Sequence, residues 1–316
     1  MRVLDYDELT QEMEVQMQML DASVGWSAVG FGRLERAREL GYPASDYFGV
    51  YAVERGQIVA TVRVLRLPFT TPRGTETIGS VQGVITRRDK SRRGIARMLL
   101  REVHRREKAF GCRFMMLWTG RAMIAHRLYE SLGYRDVYTP DLAVKKCGKV
   151  SKPEGYELRK LRKSETSLVE EIHNKATEGR LGFTPRPKGA LDAALELGFC
   201  NLDDLRVLLR RGEPVGYSVL QKNLVSSRLD ELVLVEGAQS ADALAVIEST
   251  LEGSWLSIRN TSVRDYYGTL SRRGYSFSPF TYYGLLAAPL EGDRSATAEA
   301  LGTSDKSFTC QQLDYF

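Results

Sequence analysis

The sequence predicts an α/β (α+β) protein built as two tandem domains, and three observations carry that expectation. At 316 residues the chain is long for one compact core and comfortable for two. Short apolar runs of strand length alternate with helical patterns of apolar residues. The order of these elements in residues 1–146 then returns, in degenerate form, in residues 156–290.

Taken in order, residues 1–4 read as a short first strand, and 9–20 as a helix with Met13, Met17 and Leu20 on one face, a spacing that usually marks core. A second helix is expected over 32–40, stopped by Gly41-Tyr42-Pro43. Residues 48–53 and 58–67 flank Glu54-Arg55-Gly56-Gln57, a hairpin turn in composition and length. A loop over 68–74 leads into a strand over 77–86. Next comes Ser91-Arg92-Arg93-Gly94-Ile95-Ala96-Arg97, which opens a helix patterned on Met98, Leu99 and Val103. Gly111-Cys112 ends that helix, 114–118 read as another strand, and a short helix containing Tyr129 runs into Gly133-Tyr134. Tyr138 and Leu142-Ala143-Val144 are expected to supply closing strands of the first domain, followed by a polar, lysine-rich linker over 145–155.

The second half repeats the pattern. Residues 156–158, a helix over 168–176, and a hairpin of 206–209 with 216–220 around Arg211-Gly212-Glu213-Pro214 come first. A strand over 229–235, a helix over 241–251, a strand over 255–258 and Gly274-Tyr275 complete the copy, which is expected to span 156–290. Residues 291–303 read as a polar linker within a tail, 291–316, that ends in Phe308-Thr309-Cys310-Gln311-Gln312-Leu313-Asp314-Tyr315-Phe316.

Composition narrows the class. Apolar residues make up 43% and charged residues 27%, with no apolar run of bilayer length and no basic-then-apolar leader. A cytoplasmic protein with no membrane partner is therefore expected. Cys112, Cys147, Cys200 and Cys310 lack C-x-x-C spacing or a neighbouring His, which reads as reduced thiols and no metal. Charge is local: Arg87 to Arg113 hold eleven Lys/Arg against three Asp/Glu, a net +8 in a chain of +5, which leaves −3 for the rest. Such a patch suits phosphate, and a nucleic-acid interface is an alternative that charge does not exclude. The patch has no interleaved aromatics of the kind a single-strand binder uses, so no nucleic-acid partner is expected. Arg101, Arg105, Arg106 and Lys108 read as the solvated face of the helix.

The turn at 91–97 places backbone N–H groups at a helix N-terminus, where an anion is favoured. Strand, basic glycine turn, helix, strand, helix and Gly-Tyr, in this order, resemble the core of the GNAT superfamily of acyl-CoA-dependent N-acyltransferases. The family's Arg/Gln-x-x-Gly-x-Gly/Ala is matched at Gly94 and Ala96 but begins with Ser91, and the Asn often found near the start of the later helix is Ala122. Tyr129 stands five residues before Tyr134, as the family's Tyr does before its Gly-aromatic pair. Together with Arg92-Arg93-Gly94 and Glu102-Val103-His104-Arg105-Arg106, this block is similar to the tandem-domain, enhanced intracellular survival type of acetyltransferase.

The resemblance implies two GNAT-like domains, each with a mixed, mostly antiparallel sheet flanked by helices and splayed at the acyl-CoA site. It also implies transfer of an acetyl group from acetyl-CoA to a primary amine. Main-chain groups of Val84, Ile85 and Thr86 would bind the pantetheine arm and thioester carbonyl, and Arg92, Arg93, Gly94, Ile95, Ala96 and Arg97 the pyrophosphate. Tyr129 would be the general acid that protonates the leaving thiolate, and Glu76 a general base acting through water. In the enhanced intracellular survival enzymes a terminal Phe carboxylate is the base, so Phe316 is a second candidate, although those enzymes have a further domain. The isolated His104, His126 and His173 are weaker candidates.

The second copy lacks the chemistry. Glu236-Gly237-Ala238-Gln239-Ser240 replaces the arginine turn, and Leu270 stands five residues before Tyr275, with Tyr266 or Tyr267 as alternative acids. The first 54 residues hold ten Asp/Glu and four Arg, which suggests a cationic acceptor such as a polyamine, an aminoglycoside-like compound or a lysine side chain. A non-catalytic acyl-CoA sensor is the other function these residues allow.

Overall fold

The computed structural model describes residues 1–24, 36, 39, 47–198, 200–279, 282–293 and 295–310. The second helix expected over 32–40 lies outside the described residues apart from Arg36 and Glu39, and so does the end of the tail, 311–316 with Phe316. The first elements are β1 (Arg2–Asp5), α1 (Gln11–Ser23), β2 (Tyr47–Glu54), β3 (Gln57–Thr71), β4 (Gly74–Thr86), α2 (Ile95–Phe110), β5 (Phe114–Gly120), α3 (Ile124–Ser131) and β6 (Arg135–Tyr138). Then follow β7 (Asp141–Lys146), β8 (Tyr156–Lys160), α4 (Thr166–Ala176), β9 (Leu181–Gly182), α5 (Ala190–Glu196), β10 (Leu205–Arg210), β11 (Glu213–Gln221) and β12 (Ser226–Leu234). The remainder is α6 (Ser240–Ser249), β13 (Trp255–Arg259), α7 (Thr261–Asp265), α8 (Tyr267–Arg272), β14 (Ser276–Pro279), β15 (Tyr283–Pro289), α9 (Thr297–Leu301) and β16 (Phe308–Thr309).

Two compact units result, one of residues 1–138 with 282–301, the other of 139–281 with 302–316. The first carries strands in the order β1-β2-β3-β4-β5-β15-β6, the second β8-β10-β11-β12-β13-β7-β14. Only β4–β5 and β12–β13 are parallel along these two paths. The paths match position by position, so each unit is a mixed, mostly antiparallel sheet flanked by helices.

The match includes an exchange. Residues 141–146 were expected to close the first domain; they instead lie between β13 and β14, while β15 fills the same place between β5 and β6. Leu142-Ala143-Val144 would fit the same slot in either sheet, because both slots need a short antiparallel strand, and local patterning cannot choose between them. The expected linker 291–303 is also corrected: it contains α9, whose Thr297 and Leu301 are buried. Residues 308–309 pair in parallel with β9, and Phe308 and Cys310 are buried.

Turn chemistry recurs in both copies. The β2–β3 hairpin turns on Arg55 and Gly56 and the β10–β11 hairpin on Arg211 and Gly212, all four with positive φ, as two-residue hairpins require. The expected loop at 68–74 is a third hairpin, with Phe69 opposite Glu76 and Thr71 opposite Gly74.

Core burial follows the periodicity. α2 covers its sheet with Ile95, Leu99, Leu100 and Val103, joined by Val62, Val64, Met115 and Tyr134. In the second unit Leu244 and Ile247 of α6 pack with Leu220, Leu229, Leu256 and Tyr275. No described helix is long and apolar enough to cross a membrane.

Candidate active site

β4 breaks its ladder where the sequence places Gly83 inside an apolar run. Val62 faces Val84 and Arg63 faces Gln82, so Gly83 is an extra residue, a bulge with φ +20°. On its other edge β4 pairs with β5 only through Gly79↔Met115 and Ser80↔Met116, and beyond these residues the two strands separate. Val84, Ile85 and Thr86 thus line an opening in the sheet, and no described side chain hydrogen-bonds to their main chain.

The turn that follows is shaped for an anion. Arg92 has φ 61°, and Gly94, the N-cap of α2, has φ 76° with open space where a Cβ would stand. No side chain caps the helix, so the first-turn amides of Ile95, Ala96 and Arg97 are left for an external acceptor. The surrounding cations divide into two groups. Arg87, Lys90, Arg105, Arg106, Lys108 and Arg113 are each paired with a carboxylate. Arg88, Arg92, Arg93, Arg97 and Arg101 have none among the described residues; Arg88 opens the short 3-10 helix Arg88–Lys90 before the turn, and the others belong to the turn or to the first two turns of α2. Arg101 therefore separates from Arg105, Arg106 and Lys108, with which its sequence position had grouped it. A cavity of about 600 Å³ lies beside the turn, lined by Gly94, Arg97, Met98 and Arg101 among others. These residues fit a pyrophosphate and offer nothing to a metal; no group of His, Cys, Asp and Glu able to hold one occurs among the described residues.

Tyr129 is carried to this corner by α3. Arg97 on the first turn of α2 donates to Ser131 Oγ at 3.0 Å, which ties the end of α3 to the phosphate turn. The Tyr129 ring is 7% exposed and packs edge-on against Tyr134 at 5.8 Å. Its hydroxyl bonds to no described residue, and burial pushes its pKa up to about 12.

Glu76 is not brought to this place. It lies eight residues before Val84, roughly 26 Å along an extended strand. There Arg113 grips it with two bonds of 2.7 and 2.6 Å, and Thr71 donates a third at 3.0 Å. Burial pushes the carboxyl up, but the bonds from Arg113 and Thr71 outweigh it, and Glu76 sits below its ordinary pKa. A base that works through water needs the opposite. The histidines are engaged as well: His104 bonds the Tyr134 hydroxyl at 2.9 Å, His126 lies between Glu130 and Asp136 at 3.6 and 3.5 Å, and His173 bonds Tyr217 at 2.9 Å in the second unit.

The second unit repeats the bulge and the parting of strands, then fills the gap. Val219 faces Glu231 and Leu220 faces Leu229, which leaves Asp230 as the extra residue, and β12 pairs with β13 only as far as Leu229↔Ile258. Beyond that point Ser262 Oγ accepts from Leu232 N–H at 3.1 Å, and the Tyr266 hydroxyl donates to the Leu232 carbonyl at 3.3 Å. The main-chain groups that stay open in β4 are thus occupied in β12 by α7 and the residue after it. Tyr266, a candidate substitute acid, is half-buried in this plug, and desolvation raises its pKa well above the ordinary phenol value.

Residues 8–137 match the model of the acetyltransferase (GNAT) domain. The N-terminal part of the chain is therefore a GNAT acetyltransferase domain. The fold of the chain is similar to that of a conserved protein from Enterococcus faecalis V583 described as a probable N-acyltransferase, with TM-score 0.70 and 13% identity over 92% of this chain and 73% of that one. It is also similar to Eis1 from Mycobacterium abscessus, with TM-score 0.62 and 14% identity over 94% of this chain and 76% of the other. A tandem GNAT protein from the clavulanic acid biosynthesis pathway aligns with TM-score 0.57 and 12% identity over 92% and 99% of the two chains. The two-domain architecture is that of tandem GNAT proteins. No curated protein sequence matches the chain.

Proposed function

We propose that the chain transfers an acetyl group from acetyl-CoA to a primary amine at the N-terminal site, and that the second copy is structural. The observation that carries this reading is the contrast between the copies: an unfilled gap beside an uncapped arginine turn in one, a plugged gap beside Glu236 and Gln239 in the other. Acetyl-CoA supplies an activated thioester. The amides of residues 95–97, with Arg92, Arg93 and Arg97, hold its pyrophosphate; main-chain groups of Val84, Ile85 and Thr86 hold the pantetheine arm and polarise the carbonyl. The amine attacks as its free base and loses a proton to water, and the Tyr129 hydroxyl donates a proton to the departing thiolate.

Charge supports a cationic acceptor less strongly than the sequence suggested. Of the ten acidic residues in 1–54, Asp5, Asp21, Glu39 and Glu54 already face Arg106, Arg63, Arg36 and Lys90. Among the other six, Glu12 on α1 is exposed and Glu14 half-buried, and a polyamine or lysine side chain is the class to test first. Arg93→Ala is expected to weaken coenzyme A binding by about 1.5–3 kcal/mol, the worth of one charge-assisted hydrogen bond. Calorimetry checks it, and unchanged affinity would place the phosphate site elsewhere.

A further inference from the structure

Arg63 and Asp21 form a buried ion pair at the point where the β3–β4 ladder breaks. Nη1 of Arg63 donates to Oδ2 of Asp21 at 2.8 Å and Nη2 to Oδ1 at 2.6 Å, with residue exposures of 6% and 1%. The guanidinium also lies against the bulge itself. A Cβ built on Gly83 would stand 2.2 Å from Nη2 and 2.5 Å from Nε, so only glycine lets the arginine plate seat there. One side chain from β3 is therefore pressed on the extra residue of β4 and held from above by the end of α1.

A buried ion pair is a costly way to fill such a space, because desolvation offsets most of the attraction, and an apolar side chain of similar volume commonly stabilises as well or better. What the bidentate fork adds is direction. The second unit shows that a bulge at this step of the fold does not need it: there the extra residue is Asp230, paired with Arg228 of its own strand, and β11 contains no arginine. The plugged copy thus has a bulge with no arginine of the neighbouring strand laid on it, its buried pair Arg186–Glu231 standing one residue further on, whereas the open copy has Arg63 on the bulge itself.

We infer that Arg63 and Asp21 are positioning residues that fix the bulge at Gly83, so that the main chain of Val84, Ile85 and Thr86 stays turned toward the gap and is ready to pair with the pantetheine arm. This rests on the acyltransferase reading given above. Arg63 lies against Gly83 and is placed to act through the backbone there. The inference separates the two halves of the coenzyme. The nucleotide half is held by residues 92–97, the pantetheine half by a strand whose set depends on the clamp.

The test is calorimetry with coenzyme A and with adenosine 3′,5′-bisphosphate, which keeps the adenosine, its 3′-phosphate and one of the two pyrophosphate phosphates but has no pantetheine, on the wild-type chain, Arg63→Lys and the double variant Asp21→Asn/Arg63→Met. The lysine keeps the charge and loses the fork, while the double variant leaves neither partner as an unpaired buried charge. In both variants coenzyme A affinity is expected to fall about tenfold, the worth of one to two main-chain hydrogen bonds, and bisphosphate affinity to stay within about twofold of wild type. Equal loss for the two ligands, unchanged coenzyme A affinity in a folded variant, or failure of the double variant to fold would overturn the inference and assign the pair to stability. A wild-type chain that binds neither ligand would instead overturn the acyltransferase reading.

Discussion

Tyr129→Phe lowers acetyl transfer by about 10²–10⁴-fold and leaves coenzyme A affinity unchanged; this is the expected result of removing a general acid while keeping its ring. The ring packs on Tyr134 within the α2 core, and Phe preserves that contact. Only the hydroxyl is lost, and it bonds to no described residue in the resting fold. Because burial holds the phenol up at about 12, Tyr129 stays protonated at any pH where the protein works. A tyrosine at the ordinary value of 10.0 would ionise about two units lower. The wild-type rate should therefore show no alkaline fall from this group near pH 10, a fall being due only toward pH 12 as the proton to be donated is lost. Parallel loss of rate and affinity in Tyr129→Phe would assign the residue to packing.

Arg186→Met is expected to destabilise the second unit by about 3–5 kcal/mol, the usual cost of removing one partner from a buried ion pair. Arg186 donates to Glu231 at 2.9 Å and to the Tyr217 hydroxyl at 2.6 Å, and that hydroxyl donates in turn to Glu231. Glu231, Tyr217 and His173 are all fully buried. Burial and the neighbouring Arg186 hold His173 well below its ordinary pKa, so it is neutral and cannot replace the lost cation. The variant removes the guanidinium that donates to this buried carboxylate. Urea unfolding of Arg186→Met and of Arg186→Met/Glu231→Gln checks this. The second substitution should recover much of the loss, and equal stability of the single variant and wild type would contradict the account.

Much of the fold was legible in the chain because its signals are local. The Arg-Gly hairpins, the apolar face of α2 and the glycine turn at Gly94 each depend on a few adjacent residues, and each stands where the sequence put it. Leu142-Ala143-Val144 was assigned to the wrong sheet because two homologous slots accept the same pattern, and only long-range pairing decides between them. The hairpin at Thr71 and Gly74 is hidden in the sequence because Pro68 reads as a strand breaker, although Pro68 pairs with Thr77 within the β3–β4 ladder.

At the candidate site, the glycine turn at the head of α2 has a local sequence signal, whereas ion pairing has none. Glu76 looked available as a base until Arg113, 37 residues away, was found to hold it. Arg101 lies on the solvated face as expected, and what the sequence does not show is that Arg105, Arg106 and Lys108 beside it are each paired with a carboxylate. Arg63 and Asp21 were passed over entirely, although Gly83 inside an apolar strand is a recognised mark of a bulge and could have drawn attention to whatever lies against it. The plug in the second unit had no sequence signal, since Ser262 and Tyr266 acquire meaning only from where α7 packs.

The central claim is that one copy is open to the coenzyme and the other closed, and a calorimetric titration of the full chain with acetyl-CoA tests it most directly. The expected result is one site per chain, weakened by Arg93→Ala. Two equivalent sites per chain, or one site that Arg93→Ala leaves untouched, would contradict it.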